Sequence, residues 1–129
     1  MRVARGLRQR WAAVTAPWDL APHQARALRV VARHGQVRPG RIAAHLRVAP
    51  RSVTDVIDAL EERGLVERAP DADDRRATVV TLTASGRRLV DEIDEARRKD
   101  AHSFFAQLSD RDRATLRRIL ATLDEDATD

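Results

Sequence analysis

Two short clusters in this sequence carry side chains whose types and spacing suit chemistry: Arg51-Ser52-Val53-Thr54-Asp55 and Asp73-Asp74-Arg75-Arg76. Neither is arranged for bond breaking. The paired carboxylates Asp73 and Asp74 stand in a polar stretch with no burying surroundings to shift their titration. A Gly-rich phosphate loop, a nucleophile elbow and an HExxH pair are all missing. The expectation is therefore no enzyme and no cofactor. What the clusters suit is recognition of a polyanion with readable edges. Arginine presents a planar fork that matches phosphate oxygens and the O6/N7 edge of guanine, so Arg51 is the expected reader. Ser52 and Thr54 offer hydroxyls to phosphates or bases, with Thr54 alternatively covering the inner side of its own helix. Asp55 has two readings. It can accept from cytosine N4, or pair with Arg51 at i, i+4 and orient it, and the pairing is preferred. Asp74, two residues before Arg76, is expected to accept from the Arg76 guanidinium and fix its direction, with Arg75 beside it. A solvated charged turn is the alternative for this second cluster.

Bulk properties agree without deciding. The formal net charge is +4 over 129 residues, but 20 acidic residues are mixed in. Lys99 is the only lysine, so the basic character is almost all arginine. A GC-rich coding bias would produce the same Arg- and Ala-rich chain. With 43% apolar and 34% charged residues, a folded domain is expected rather than disorder. No cysteine is present, which excludes disulfides, thiolate catalysis and thiol redox sensing. The first five residues have no apolar stretch behind them, and no run approaches 18 apolar residues. No signal peptide or membrane span is expected, and a cytoplasmic location follows as the expectation.

The elements that must position the two clusters follow from periodicity. Val3, Leu7, Trp11 and Val14 mark an amphipathic helix over 3–14, closed by Pro17. Pro22 opens a second helix that ends at Gly35, and Pro39 opens a short third holding Ile42, Ala43 and Leu46. Pro50 opens a fourth, in which Val53, Val56, Ile57 and Leu60 form an i, i+3, i+4, i+7 stripe. That stripe turns Arg51, Asp55, Asp58 and Glu62 outward, with Ser52 and Thr54 on the flanks. The front of the outer face is short and polar, and the rear is acidic. After Gly64 the period changes. Residues 65–69 and the β-branched run 78–82 read as two strands around a polar loop. Thr83 is a suitable N-cap for a long helix from 84 to about 106, and Ser109 for a last one carrying Leu116, Ile119, Leu120 and Leu123. The acidic end, 124–129, is expected to fray.

Two short helices with a tight connection, followed by a hairpin, predict a winged helix-turn-helix. The fold class is mainly α with a small β-hairpin, the winged domain spanning 22–82 and its wing 65–82. Helices at 2–15 and 84–125 are expected to mediate dimerisation within one domain of 1–129. A small winged domain cannot bury every apolar stripe at both chain ends, whereas a second copy can. The second helix of the pair would enter the major groove, and the hairpin tip would reach the neighbouring minor groove, where arginine is favoured.

The string from Leu60 to Gly86 resembles the MarR family of bacterial transcription regulators: Leu60-Glu61-x-x-Gly64-Leu65-Val66-x-Arg68-x-Pro70-Asp71-x-x-Asp74-Arg75-Arg76, then Val80-x-Leu82-Thr83-x-x-Gly86. The segments Ile42-Ala43 with Leu46 and Ser52-Val53-Thr54 are similar too. The resemblance implies a homodimer on a pseudo-palindromic double-stranded operator, with Arg76 in the minor groove supported by Asp74. It also implies a repressor released by a small, often aromatic, effector bound between the dimer region and the DNA-binding lobe. Trp11, Trp18 and His23 lie near that junction, with Trp18 the better pocket candidate and Trp11 alternatively packing in the dimer core. The chain departs from the family at Asp55, where a basic or small residue is frequent, and at Ala21, which replaces the usual Ser or Thr cap. A second reading keeps the winged fold as a protein-interaction module that does not read DNA, motivated by Asp55 and the acidic rear of the fourth helix. His23, His34, His45 and His102 show no ligand spacing, so no metal is expected, although His34 and His45 could approach each other across helices.

Overall fold

The computed structural model describes residues 2–126. Its elements run α1 (Arg2–Thr15), a single 3-10 turn (Ala16–Trp18), α2 (Pro22–His34), α3 (Pro39–Leu46), α4 (Pro50–Glu62), β1 (Val66–Pro70), β2 (Thr78–Leu82), α5 (Ala84–Phe105) and α6 (Asp110–Asp126). The chain forms two compact units, 1–96 and 97–129. The expected fraying of 124–129 falls in part on 127–129, outside the described residues.

In the first unit, three consecutive helices begin the same way. Pro22, Pro39 and Pro50 each follow a residue held extended (Ala21, Arg38 and Ala49, ψ 149, 144 and 146°), the conformation that a following proline imposes. None of the three N-cap residues uses its side chain as a cap. At Ala21, which has no oxygen to offer, the Gln24 Oε1 accepts from the Ala21 N–H at 3.0 Å and supplies half of a capping box. The α3–α4 turn is tightened by Arg47, a non-glycine residue at φ 56°. There Val48 donates its N–H to the Ala43 carbonyl at 3.1 Å. At the end of α4, Gly64 adopts φ 69° and Leu65 N–H reaches the Leu60 carbonyl at 3.0 Å. This is the glycine-terminated helix end that the sequence implies.

The hairpin is antiparallel, with Val66 opposite Leu82 and Pro70 opposite Thr78. Its first strand lies one residue later than the 65–69 read from sequence, because Leu65 is still engaged in closing α4. An unexpected partner joins it. Val37, in the α2–α3 connection, exchanges two backbone bonds with Val80 (3.1 and 2.8 Å), so β2 is flanked on both sides. Leu28, Val31, Ile42, Val53, Ile57 and Leu60 pack with Val66, Val80, Leu89 and Ile93 in one core. Thr83 fastens this core to α5. Its hydroxyl donates to the Gly64 carbonyl at 2.6 Å and accepts from the Gly86 N–H at 3.0 Å. Gly86 lies so close beneath that a Cβ there would stand 1.9 Å from the Leu65 carbonyl oxygen. The Thr83-x-x-Gly86 part of the family-like string is thus a close crossing of two backbones.

In the second unit, Ser109 caps α6, its Oγ accepting from Asp112 N–H at 3.1 Å. Arg113 donates to Asp110 at 2.8 Å and Phe104 meets Phe105 edge-on. None of the described side chains of α6 is buried; Ile119, Leu120 and Leu123 are 45, 48 and 59% exposed. Among the described residues, no helix is long and apolar enough to cross a membrane.

Candidate nucleic-acid interface

The buried stripe of α4 sets its outward face. Val53, Val56, Ile57 and Leu60 are buried, and Arg51, Ser52, Thr54 and Asp55 are all exposed. One expectation fails here. Arg51 and Asp55 form no ion pair; each side chain is unengaged among the described residues. A pair this exposed gains little over hydration, since two side chains must give up rotamer freedom in high dielectric. Both groups therefore remain available to an incoming partner. Ser52 and Asp55 also border a depression of about 440 Å³ together with His23 and Val48. His23 thus stands beside α4. Trp18 is placed otherwise: its indole Nε1 donates to Glu92 of α5 at 3.1 Å. Trp11, on α1, is 50% exposed.

The wing tip is built by carboxylates acting on backbone. Asp71 Oδ1 accepts from Asp73 N–H at 3.0 Å, and Asp74 Oδ1 accepts from Arg76 N–H at 3.1 Å. The loop is closed by Asp71 N–H to the Ala77 carbonyl and Ala77 N–H to the Asp74 carbonyl, both at 2.9 Å. These Asx turns are what Asp does readily in tight loops. The expected role of Asp74 is corrected accordingly. It holds the Arg76 main chain, and the guanidinium groups of Arg75 and Arg76 are exposed and unengaged among the described residues. The Asp74 carboxylate is taken by the nearer backbone N–H, as in an Asx turn.

Three positioning arginines escaped the sequence reading. Arg38, at the N-cap of α3, donates from Nε and Nη2 to Asp71 Oδ2 at 2.9 and 2.7 Å. It ties the base of the wing to the helix-turn-helix. Asp71 titrates below the usual carboxylate range because of the Asp73 N–H and then the Arg38 fork. Arg38 is shifted upward by the same bond and the charge of Asp71. Arg68, on β1, donates to both Asp58 and Glu61. Burial pulls its pKa down, but the bonds to the two carboxylates push it up by more. The rear of α4 is therefore an internal clamp whose charge is partly compensated. Arg63 donates to the carbonyls of Asp19 (2.9 Å) and Trp18 (2.7 Å), gripping the turn before α2, where Asp19 sits at φ 51°. Partners 33 and 44 residues apart leave no local pattern for a reader to find.

Among the described residues, no cluster of three or more His, Asp or Glu side chains could hold a metal ion. A profile described as MarR family matches residues 18–77. Over 129 aligned residues the chain is 36% identical to the uncharacterised HTH-type transcriptional regulator Mb0904 of Mycobacterium bovis, covering 97% of this chain and 87% of that one. The chain belongs to the MarR family. It is thus a winged helix-turn-helix transcription regulator, of a non-enzymatic family. A MarR family protein from Bacillus stearothermophilus superposes with a TM-score of 0.89 at 26% identity, over 99% of this chain and 89% of the other. A single-site mutant of S. aureus MepR, bound to an oligodeoxyribonucleotide, shares the fold. Its TM-score is 0.72 at 22% identity, over 98% of this chain and 93% of that one.

Proposed function

We propose that this MarR-family regulator is a homodimeric repressor that reads a pseudo-palindromic double-stranded operator and leaves it when a small molecule binds. The observation that carries the DNA reading is the pair of unengaged surfaces. The first turns of α4 expose Arg51, Ser52, Thr54 and Asp55, and the wing presents two guanidinium groups, at Arg75 and Arg76, on a loop braced by its own carboxylates. Helix start and hairpin tip suit the major and minor grooves respectively. The likeness to MepR bound to an oligodeoxyribonucleotide supports the same mode. Dimerisation is supported by the apolar stripe of α6 and by Val3 and Trp11 on α1, 67 and 50% exposed in a single copy. For effector release, the family resemblance suggests a small, aromatic ligand near Trp11, Trp18 and His23, although Trp18 bonds to Glu92 and His23 faces Ser52 and Asp55. The alternative of a protein-interaction module drew on the acidic rear of α4, and Arg68 now accounts for Asp58 and Glu61 there.

The test is selection of bound sequences from a random duplex pool, followed by a salt series. Enrichment of a two-fold symmetric sequence is expected, with log K falling by about 0.9 per phosphate neutralised. No enrichment at low salt, or a flat salt profile, would turn the assignment toward the interaction module.

A further inference from the structure

A cavity of about 610 Å³ opens among α2, the end of α3 and the first half of α5, on residues the readout surfaces do not use. Leu46 and Val90, both buried, lie at its floor. Its rim is strongly basic. Arg26, Arg29, Arg33 and Arg87 face it, against the two carboxylates Asp91 and Asp94. Asp94 is taken by Arg29 at 3.8 Å, and Arg26 donates to the His45 carbonyl at 3.3 Å. Arg33 and Arg87 have no partner among the described residues. The four arginines exceed the two carboxylates Asp91 and Asp94, and neither Arg33 nor Arg87 has a bonded counter-charge among the described residues.

The His34 and His45 imidazoles stand in the same cavity, with ring centroids 5.0 Å apart. The groups facing them are cationic from α2 (Arg26, Arg29, Arg33), from α3 (Arg41) and from α5 (Arg87); only Asp91 and Asp94 of α5 oppose. Desolvation first, then Arg41, His45 and Arg33, push the His34 pKa below its ordinary value. The uncharged ring is therefore favoured, in a place where positive charge is already crowded.

We propose that this cavity binds a small dianion, a phosphate monoester or a dicarboxylate. Two negative charges on one compact group match the excess of positive charge on this rim, and arginine is the side chain best shaped for either acid. A neutral aromatic molecule would leave the arginines unanswered. The dianion also reverses the environment of the imidazoles. Its charge favours the protonated form of His34, so binding takes up a proton and tightens as pH falls. Resting on the regulator reading above, the further consequence is that occupancy weakens DNA binding. It adds negative charge to the unit that carries the helix-turn-helix.

Sulfate is the probe of choice for the titration, because it stays a dianion from pH 5 to 8, and malonate represents the dicarboxylates. Imidazole NMR signals of His34 and His45 should shift saturably with a Kd of about 1 mM or tighter. Chloride at matched ionic strength should not reproduce the shift. Affinity for sulfate should rise by up to about tenfold per proton taken up between pH 7.5 and 6.5. That dependence should vanish in a His34→Asn variant. An Arg33→Gln/Arg87→Gln variant, altered only at exposed positions, should bind at least about tenfold more weakly. A preference for sulfate over malonate, or the reverse, assigns the phosphoryl or the carboxylate source. Shifts that chloride reproduces, or unchanged binding in the arginine variant, would overturn the site. So would loss of DNA affinity and of salt slope in that variant with no dianion present, since the cluster would then be a contact to the DNA backbone. DNA binding measured in parallel keeps the two readings apart. Sulfate binding that leaves DNA affinity untouched retains the site and removes its regulatory consequence.

Discussion

At the scale of single residues, the wing separates two tasks that its sequence places side by side. Asp71 and Asp74 spend their oxygens on backbone N–H groups, and Arg75 and Arg76 are left to act outward. Removing a guanidinium should therefore cost binding without disturbing the loop. Arg76→Ala is expected to weaken operator binding by about 1–3 kcal/mol in a gel-shift titration, with an unchanged melting temperature. The Arg38–Asp71 pair makes a different prediction. Asp71 has a folded pKa below its unfolded value, so its contribution is complete above the ordinary carboxylate range and is lost as pH falls through the depressed value. Acid melting of the wild type and of Asp71→Asn should converge at the low end of that window and separate above it. A constant difference at every pH would show that the charge of Asp71 is irrelevant. The residue types of this site were legible in the sequence because arginine and aspartate in a polar turn have few uses. Their pairings were not. Arg51 with Asp55, and Arg76 with Asp74, were nearest in sequence, yet the bonds formed are Arg38 with Asp71, and Arg76 N–H with Asp74.

At the scale of elements, proline and glycine wrote the boundaries plainly. Pro22, Pro39 and Pro50 open three helices and Gly35 and Gly64 close two, each through a backbone restriction that needs no tertiary partner. The bridge from Val37 to Val80 had no such signal, because one isolated residue carries no period. The same holds for the crossing at Gly86, which could be read only as part of a family-like string. That crossing gives a sharp expectation. Gly86→Ala forces a methyl into the Leu65 carbonyl and should destabilise by at least about 1–3 kcal/mol in urea unfolding, although alanine favours helices. Thr83→Ala should cost about 1–2 kcal/mol, since it removes the helix cap and the bond to Gly64 together. A Gly86→Ala protein as stable as the wild type would mean that α5 can move off the Leu65 backbone at little cost.

At the scale of the whole molecule, the apolar residues left uncovered in one copy say most. A helix with Ile119, Leu120 and Leu123 all near half exposed has not found its packing surface within a single chain. Under the proposed dimer, Leu120→Glu should shift the mass in sedimentation equilibrium from dimer toward monomer. It should also flatten operator binding, since each wing would then dock alone. A monomeric wild type at micromolar concentration would remove the dimer and, with it, the two-fold operator. The sequence could suggest this interface, because periodic stripes report burial of some kind. It could not say against what they are buried, because burial by a neighbouring helix and by another chain leave the same pattern.

The bond from Trp18 to Glu92 has a consequence for observing any such event. The protein's two indoles are inequivalent: one is half-buried and hydrogen-bonded to α5, the other is half exposed on α1. Under the proposed dimer both indoles are shielded from iodide, and Trp11 emission should become strongly quenched only in the monomeric Leu120→Glu variant, with Trp18 still weakly quenched. Because the Trp18 carbonyl is held by Arg63 at the end of α4, a rearrangement of that helix would pull on the protected indole first. The chain carries its own optical gauge, wired to the helix proposed to read DNA.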